Sequence, residues 1–184
     1  ELALNLNVEK TGLRVDTLRL ANDDSQLQGG GGISASPLRE TWLDLKLTAP
    51  NLGRLMKRLR TTEAIKGGEL QMEGRLNWLG RPEDFALARL GGRLRLDIAR
   101  GRFTQLDPGA GKLLGILSLQ ALPRRIALDF RDVFSEGFAF DEIKGDLHLD
   151  RGVAYLPALA INGPAAKIVM NGRIGLAQEN QDLR

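Results

Sequence analysis

"GGRLRLDIARGRF", residues 91–103, decides the fold. Leu94, Leu96 and Ile98 alternate with Arg93, Arg95 and Asp97. A period of two puts one set on one face of a strand and the other set on the opposite face. The stretch therefore reads as a strand with an oily side and a charged side. The pattern recurs in both directions along the chain: Leu2, Leu4, Leu6 and Val8; Leu43, Leu45 and Leu47; Ile126, Leu128 and Phe130; Leu147 and Leu149. "GGELQMEGRLNW" (67–78) and "KGDLHLDRGVAY" (144–155) repeat the motif of glycine, alternation, glycine and further strand. "MNGRIGLA" (170–177) is a shorter echo. The copies are unevenly spaced, which excludes a solenoid of fixed period.

Alternation predicts strands at 2–9, 13–20, 25–34, 41–48, 69–79, 84–90, 92–99, 124–131, 137–149, 152–162 and 166–176. Thr11-Gly12, Asn22-Asp23-Asp24, Gly67-Gly68, Gly91-Gly92 and Arg151-Gly152 supply turn chemistry between them. Such short connections favour antiparallel neighbours in a meander. "GGGGISASPLRE" (29–40) is the best candidate for a hinge or a glycine-rich strand crossing. Two short helices are expected. One follows Pro50 with Asn51 as N-cap, its apolar side made of Leu52, Leu55, Met56 and Leu59. The other runs over about 110–120, turns Leu113, Leu114 and Leu117 inward, and is stopped by Pro123.

The chain has 184 residues, 42% hydrophobic and 27% charged. That is enough for one sizeable globular core. Its net charge of +3 comes from interspersed basic and acidic residues rather than a basic stripe. Aromatics are 5%, and Phe103, Phe130, Phe138 and Phe140 share positions with the aliphatic face, so nucleic-acid binding is not expected. There is no cysteine, hence no disulfide and no thiolate metal site. The one histidine, His148, alternates onto the polar face, and a lone His without cysteine argues against a zinc or copper centre. "PGAGKLLG" (108–115) has Leu106 and Leu113 where a phosphate loop needs glycine and a hydroxyl. No nucleophile, base and orienting acid can be assembled, so neither an enzyme nor a cofactor is expected. No apolar run is long enough to span a bilayer. Opening at Glu1, inside a strand pattern, the chain reads as part of a larger protein.

Alternation alone leaves two architectures open. Two sheets can close their apolar faces on each other. Alternatively, one sheet can stay open and curl, so that its apolar face lines a groove for acyl chains. A strand of seven residues spans ~23 Å at about 3.3 Å per residue, comparable with an extended lipid tail.

"GKLLGILSLQALPRR" (111–125), "LDFRDVFSEGFAFD" (128–141) and "INGPAAKIVMNGRI" (161–174) resemble the C-terminal region of the YhdP family, within the AsmA-like group that also includes TamB. The resemblance is specific over 101–184; residues 1–100 share only the general amphipathic-strand character. It implies one continuous segment, 1–184, of a mainly β protein: a long, strongly twisted antiparallel sheet curled into an open, taco-like apolar groove. It also implies a non-enzymatic bridge for phospholipid between inner and outer bacterial membranes. The parent protein would be anchored in the inner membrane and extend through the periplasm of a Gram-negative cell. The implied partners are acyl chains, the two membranes and other envelope proteins. Two alternatives stand beside this reading: a scaffold for assembly of outer-membrane proteins, and a closed β-sandwich that binds a protein.

On that reading the expected groove lining is Leu70, Met72, Leu94, Leu96, Ile98, Leu128, Phe130, Phe138, Phe140, Leu147, Leu149, Ile168, Met170 and Ile174. The helix carrying Leu113, Leu114 and Leu117 would pack on the groove. Arg93, Arg95, Asp97, Lys144, Asp146 and Asp150 should face water.

Overall fold

Among the described residues ten strands form one antiparallel sheet, and each pairs only with its neighbours in sequence. The computed structural model describes residues 2–9, 12–34, 39–60, 64–104, 137–176 and 180–183. The strands are β1 (Leu2–Glu9), β2 (Gly12–Ala21), β3 (Gln26–Ser34), β4 (Glu40–Ala49) and β5 (Ile65–Leu79). They continue with β6 (Gly91–Phe103), β7 (Ala139–Asp150), β8 (Val153–Asn162), β9 (Lys167–Gly175) and β10 (Asn180–Leu183). β1 and β10 lie at opposite edges and do not pair, so the sheet is open rather than a barrel. All ten strands belong to this one sheet, so among the described residues there is no second sheet to close a sandwich.

Register converts the alternation of single strands into rungs that cross the sheet. One rung runs Leu20–Leu27–Leu47–Met72–Leu96–Gly145–Leu159–Met170 through successive cross-strand partners. Another runs Ala49–Leu70–Ile98–Ile143–Ile161–Ile168. The rung between them, Thr48–Gln71–Asp97–Lys144, is polar, as are Lys46–Glu73–Arg95–Asp146 and Asp44–Arg75–Arg93–His148–Tyr155–Arg173 on the far side of the first. A slip of one residue on any strand would exchange the faces, so the pattern itself fixes the register.

The strand phase reverses at one level of β5, β6 and β7. On β5 the inward positions are Ile65, then Gly68, Leu70 and Met72. On β6 they are Leu94, Leu96 and Ile98, then Gly101 and Phe103. On β7 they are Phe140, then Ile143, Gly145 and Leu147. Gly67 pairs with Gly101, and Gly101 with Phe140, so the reversals form one crease. The backbone there has positive φ at Gly67, Gly68 and Arg100. Beyond the crease the apolar face is aromatic: Phe103 lies 5.1 Å from Phe140 and 6.3 Å from Phe138, centroid to centroid.

Helix α1 (Leu52–Arg58) forms as expected, except that Leu59 is its C-cap and exposed rather than part of the apolar side. Asn51 is extended, and its side chain accepts a hydrogen bond from the Arg54 backbone N–H at 3.0 Å. This satisfies one orphan donor of the first turn. Leu52 and Leu55 are buried, and Asp24 on the β2–β3 turn pairs with Arg58 at 3.1 Å and Arg54 at 3.9 Å.

Three expectations need correction. Residues 84–90 are not a strand: Pro82–Asp84 and Leu87–Arg89 are 3-10 turns. Pro82 cannot donate to a ladder, and the Asp84 carboxylate instead accepts from the Arg81 N–H at 2.8 Å. Strand β10 was not foreseen, because Asn180-Gln181-Asp182-Leu183 carries no apolar alternation. The glycine run 29–32 is no hinge: it lies inside β3, where a Cβ at Gly29 would stand 2.1 Å from the Asp44 carbonyl oxygen. The predicted strand 124–131 and helix 110–120 lie outside the described residues.

Candidate functional site: the apolar face

Twelve of the fourteen residues expected to line a groove are described, and they share one face of the sheet; Leu128, Phe130 and the helix residues Leu113, Leu114 and Leu117 lie outside the described residues. The twelve divide by burial. Leu70, Ile98, Phe138, Phe140, Leu149 and Met170 are buried, packed against other side chains of the protein. Met72, Leu94, Leu96, Leu147, Ile168 and Ile174 are half-buried. The six charged residues expected to face water alternate onto the opposite side, exposed or half-exposed.

The division has a geometric cause. Two packed clusters sit at the two ends of the strands. One gathers Leu52 and Leu55 of α1 with Leu70, Ile98, Ile143 and the phenylalanines. The other gathers Trp78, Leu90, Leu149 and Ala154. Trp78 stacks edge-on with Phe85 at 5.3 Å, and its indole N–H donates to the Arg81 carbonyl at 2.9 Å. Between the clusters runs a strip of half-buried residues: Leu43, Leu45 and Leu47 on β4, Met72 and Leu76 on β5, Leu94 and Leu96 on β6, Leu147 on β7. The strip crosses the strands, parallel to the rungs. Its β4 members, read from sequence as an alternating strand, were not included in the expected lining, although their alternation is as clean as that of β6. Ile143, Leu156, Leu159 and Ile161 were also missed; the phase changes between Phe140 and Ile143 and between Leu156 and Leu159.

Glycine shapes the strip. Gly74 lies in it with φ +149, a conformation nearly reserved for glycine, and a Cβ there would meet the Arg93 carbonyl oxygen at 2.0 Å. β5 and β6 therefore approach more closely than side chains at that position allow.

The charged side is self-compensating over much of its area. Arg75 donates hydrogen bonds from Nε and Nη2 to the two Asp44 oxygens, each at 2.6 Å, and lies 4.8 Å from the Trp42 ring centroid. The Arg75 hydrogen bond holds the Asp44 carboxyl below the ordinary aspartate range, against the opposing effect of partial burial. Arg95 pairs with Asp146, Arg100 with Glu69, and Lys144 with Glu142. The hydrogen bond from Lys144 lowers Glu142 and raises Lys144 in turn. A basin of about 680 Å³ is lined by Glu73, Arg93, Arg95, Asp146, His148 and Pro157 over Gly74, Leu94 and Leu147. Met72, Leu96 and Leu149, which flank it on the apolar side, do not line it, so it belongs to the charged face. Among the described residues no group of three or more His, Cys, Asp or Glu is placed to hold a metal ion. Among the same residues no helix is long and apolar enough to cross a membrane.

An open sheet with one continuous oily face matches the expectation drawn from the C-terminal motifs. The family described as YhdP protein matches residues 1–184, residues 1–100 included. This chain belongs to the YhdP family. A curated relative, the intermembrane phospholipid transporter YhdP of Escherichia coli (strain K12), is 30% identical over 175 residues. The aligned region is 91% of this chain and 14% of the relative, so the chain spans a small part of that protein's length. No solved structure matches.

Proposed function

We propose that this chain is a length of a non-enzymatic phospholipid conduit between the inner and outer bacterial membranes, lying in the periplasm. The observation that carries the reading is the one-sided apolar face, continuous across the sheet in register, in a chain of the YhdP family. The apolar strip seats the acyl chains while the headgroups stay in water. Each CH₂ removed from water contributes roughly 0.8 kcal/mol, so a leucine-lined strip holds a tail without recognising its identity. Such holding is passive, and net direction comes from outside the strip.

The test is lipid extraction. The chain is incubated with vesicles of phosphatidylethanolamine and phosphatidylglycerol, reisolated, and its bound lipid measured by native mass spectrometry. Phospholipid should co-purify with the unmodified chain and be lost in Leu94→Asp, because an unpaired carboxylate in an apolar lining is costly. Absence of lipid on the unmodified, folded chain would refute the proposal.

A further inference from the structure

We infer that the apolar strip is blind at β8, so that a seated acyl chain ends against Leu159. The inference rests on the lipid-binding reading above and adds where the path stops. From β2 to β7 the strip is half-open: Leu18, Leu27, Leu45, Met72, Leu94 and Leu147 are each half-buried. At β8 this changes. Ala154, Leu156, Leu159 and Ile161, all its inward residues from 154 to 161, are 1%, 7%, 9% and 2% exposed.

A bulge accompanies the change. The β7–β8 register shifts between Tyr155 and Leu159, opposite His148 and Gly145, and the β8–β9 register shifts between Leu156 and Leu159. Pro157 and Ala158 are both exposed, and proline is tolerated in a sheet at such a position. Leu156 and Leu159 consequently both point inward, one on each side of the bulge. Opposite Leu159 stands Gly145, where a Cβ would lie 2.7 Å from Leu159 Cδ1. Leu159 thus occupies the space above Gly145, in the same rung that Met72 and Leu96 leave half-open. Ile174 packs against both end clusters and joins them across the strip.

The open part, β2 to β7, covers five strand spacings, about 24 Å at about 4.8 Å each, comparable with one extended fatty-acyl chain. The occupant is therefore the tail of a membrane phospholipid, and a tail that reaches β7 leaves over the open side of the strip rather than beneath β8 and β9.

The test uses the full chain with phosphatidylethanolamine–phosphatidylglycerol vesicles carrying a diazirine near the acyl terminus. After irradiation, labelled residues are located by peptide mass spectrometry. Labelling is expected at Leu94, Leu147 and Leu159 and absent from Leu156 and Met170. In Leu159→Ala it should extend to Met170. Labels at Leu156 or Met170 of the unmodified chain would overturn the blind end while leaving the lipid reading intact. No label anywhere on the apolar face would overturn the lipid reading itself. Labelling of Leu159→Ala that still stops at Leu147 would overturn Leu159 as the stop.

Discussion

At the scale of single residues, pairs of side chains across the sheet decide what can change. Gly74 tolerates no side chain, because the Cβ would collide with backbone and the conformation is strained for any other residue. Gly74→Ala should cost about 1–3 kcal/mol, read as a lower urea midpoint. Asp44 makes a milder prediction. Its pair with Arg75 is half-exposed, so Asp44→Asn should cost only about 0.2–1 kcal/mol at neutral pH. The Asp44 carboxyl is lowered in the folded state, so its contribution is complete above the unfolded aspartate value and fades as pH falls through the folded one. Urea unfolding across pH should show the Asn variant's deficit constant down to about pH 5 and shrinking below about pH 4. Leu94 and His148 were legible from alternation alone, one to each face. The packing of Leu159 over Gly145 was not, because a bulge leaves no mark in the sequence beyond a proline inside an apolar run.

At the scale of elements, most strands were legible because each carries its own phase. β6 and β7 nevertheless extend through a change of phase, and only neighbouring strands creasing at the same level make that change tolerable. The connector between β5 and β6 misled for the opposite reason. Phe85 and Leu87 imitate an alternating strand, while Pro82 and the Asp84 cap commit the backbone to 3-10 turns. Helix α1 was legible from its cap and spacing. Asn51→Ala should destabilise the chain by about 1 kcal/mol, measurable in the thermal midpoint. Leu159→Ala should cost about 2–5 kcal/mol through the void it leaves over Gly145, unless a lipid tail fills that space. Added phospholipid should then raise the melting temperature of this variant more than that of the parent chain.

At the scale of the whole molecule, the apolar face is divided into two packed margins and a half-open middle, and the fully buried side chains lie in the margins while those of the middle rest against them half-exposed. Substitutions in the middle should therefore separate binding from stability. Leu96→Asp should abolish phospholipid co-purification with a small change in unfolding midpoint, whereas Ile143→Asp in a packed margin should unfold the chain outright. Circular dichroism beside lipid extraction checks both. The one-to-ten strand order also has a mechanical side. Antiparallel hydrogen bonds lie perpendicular to the strands, so tension between the sheet's two edges pulls along those bonds, seam after seam in series.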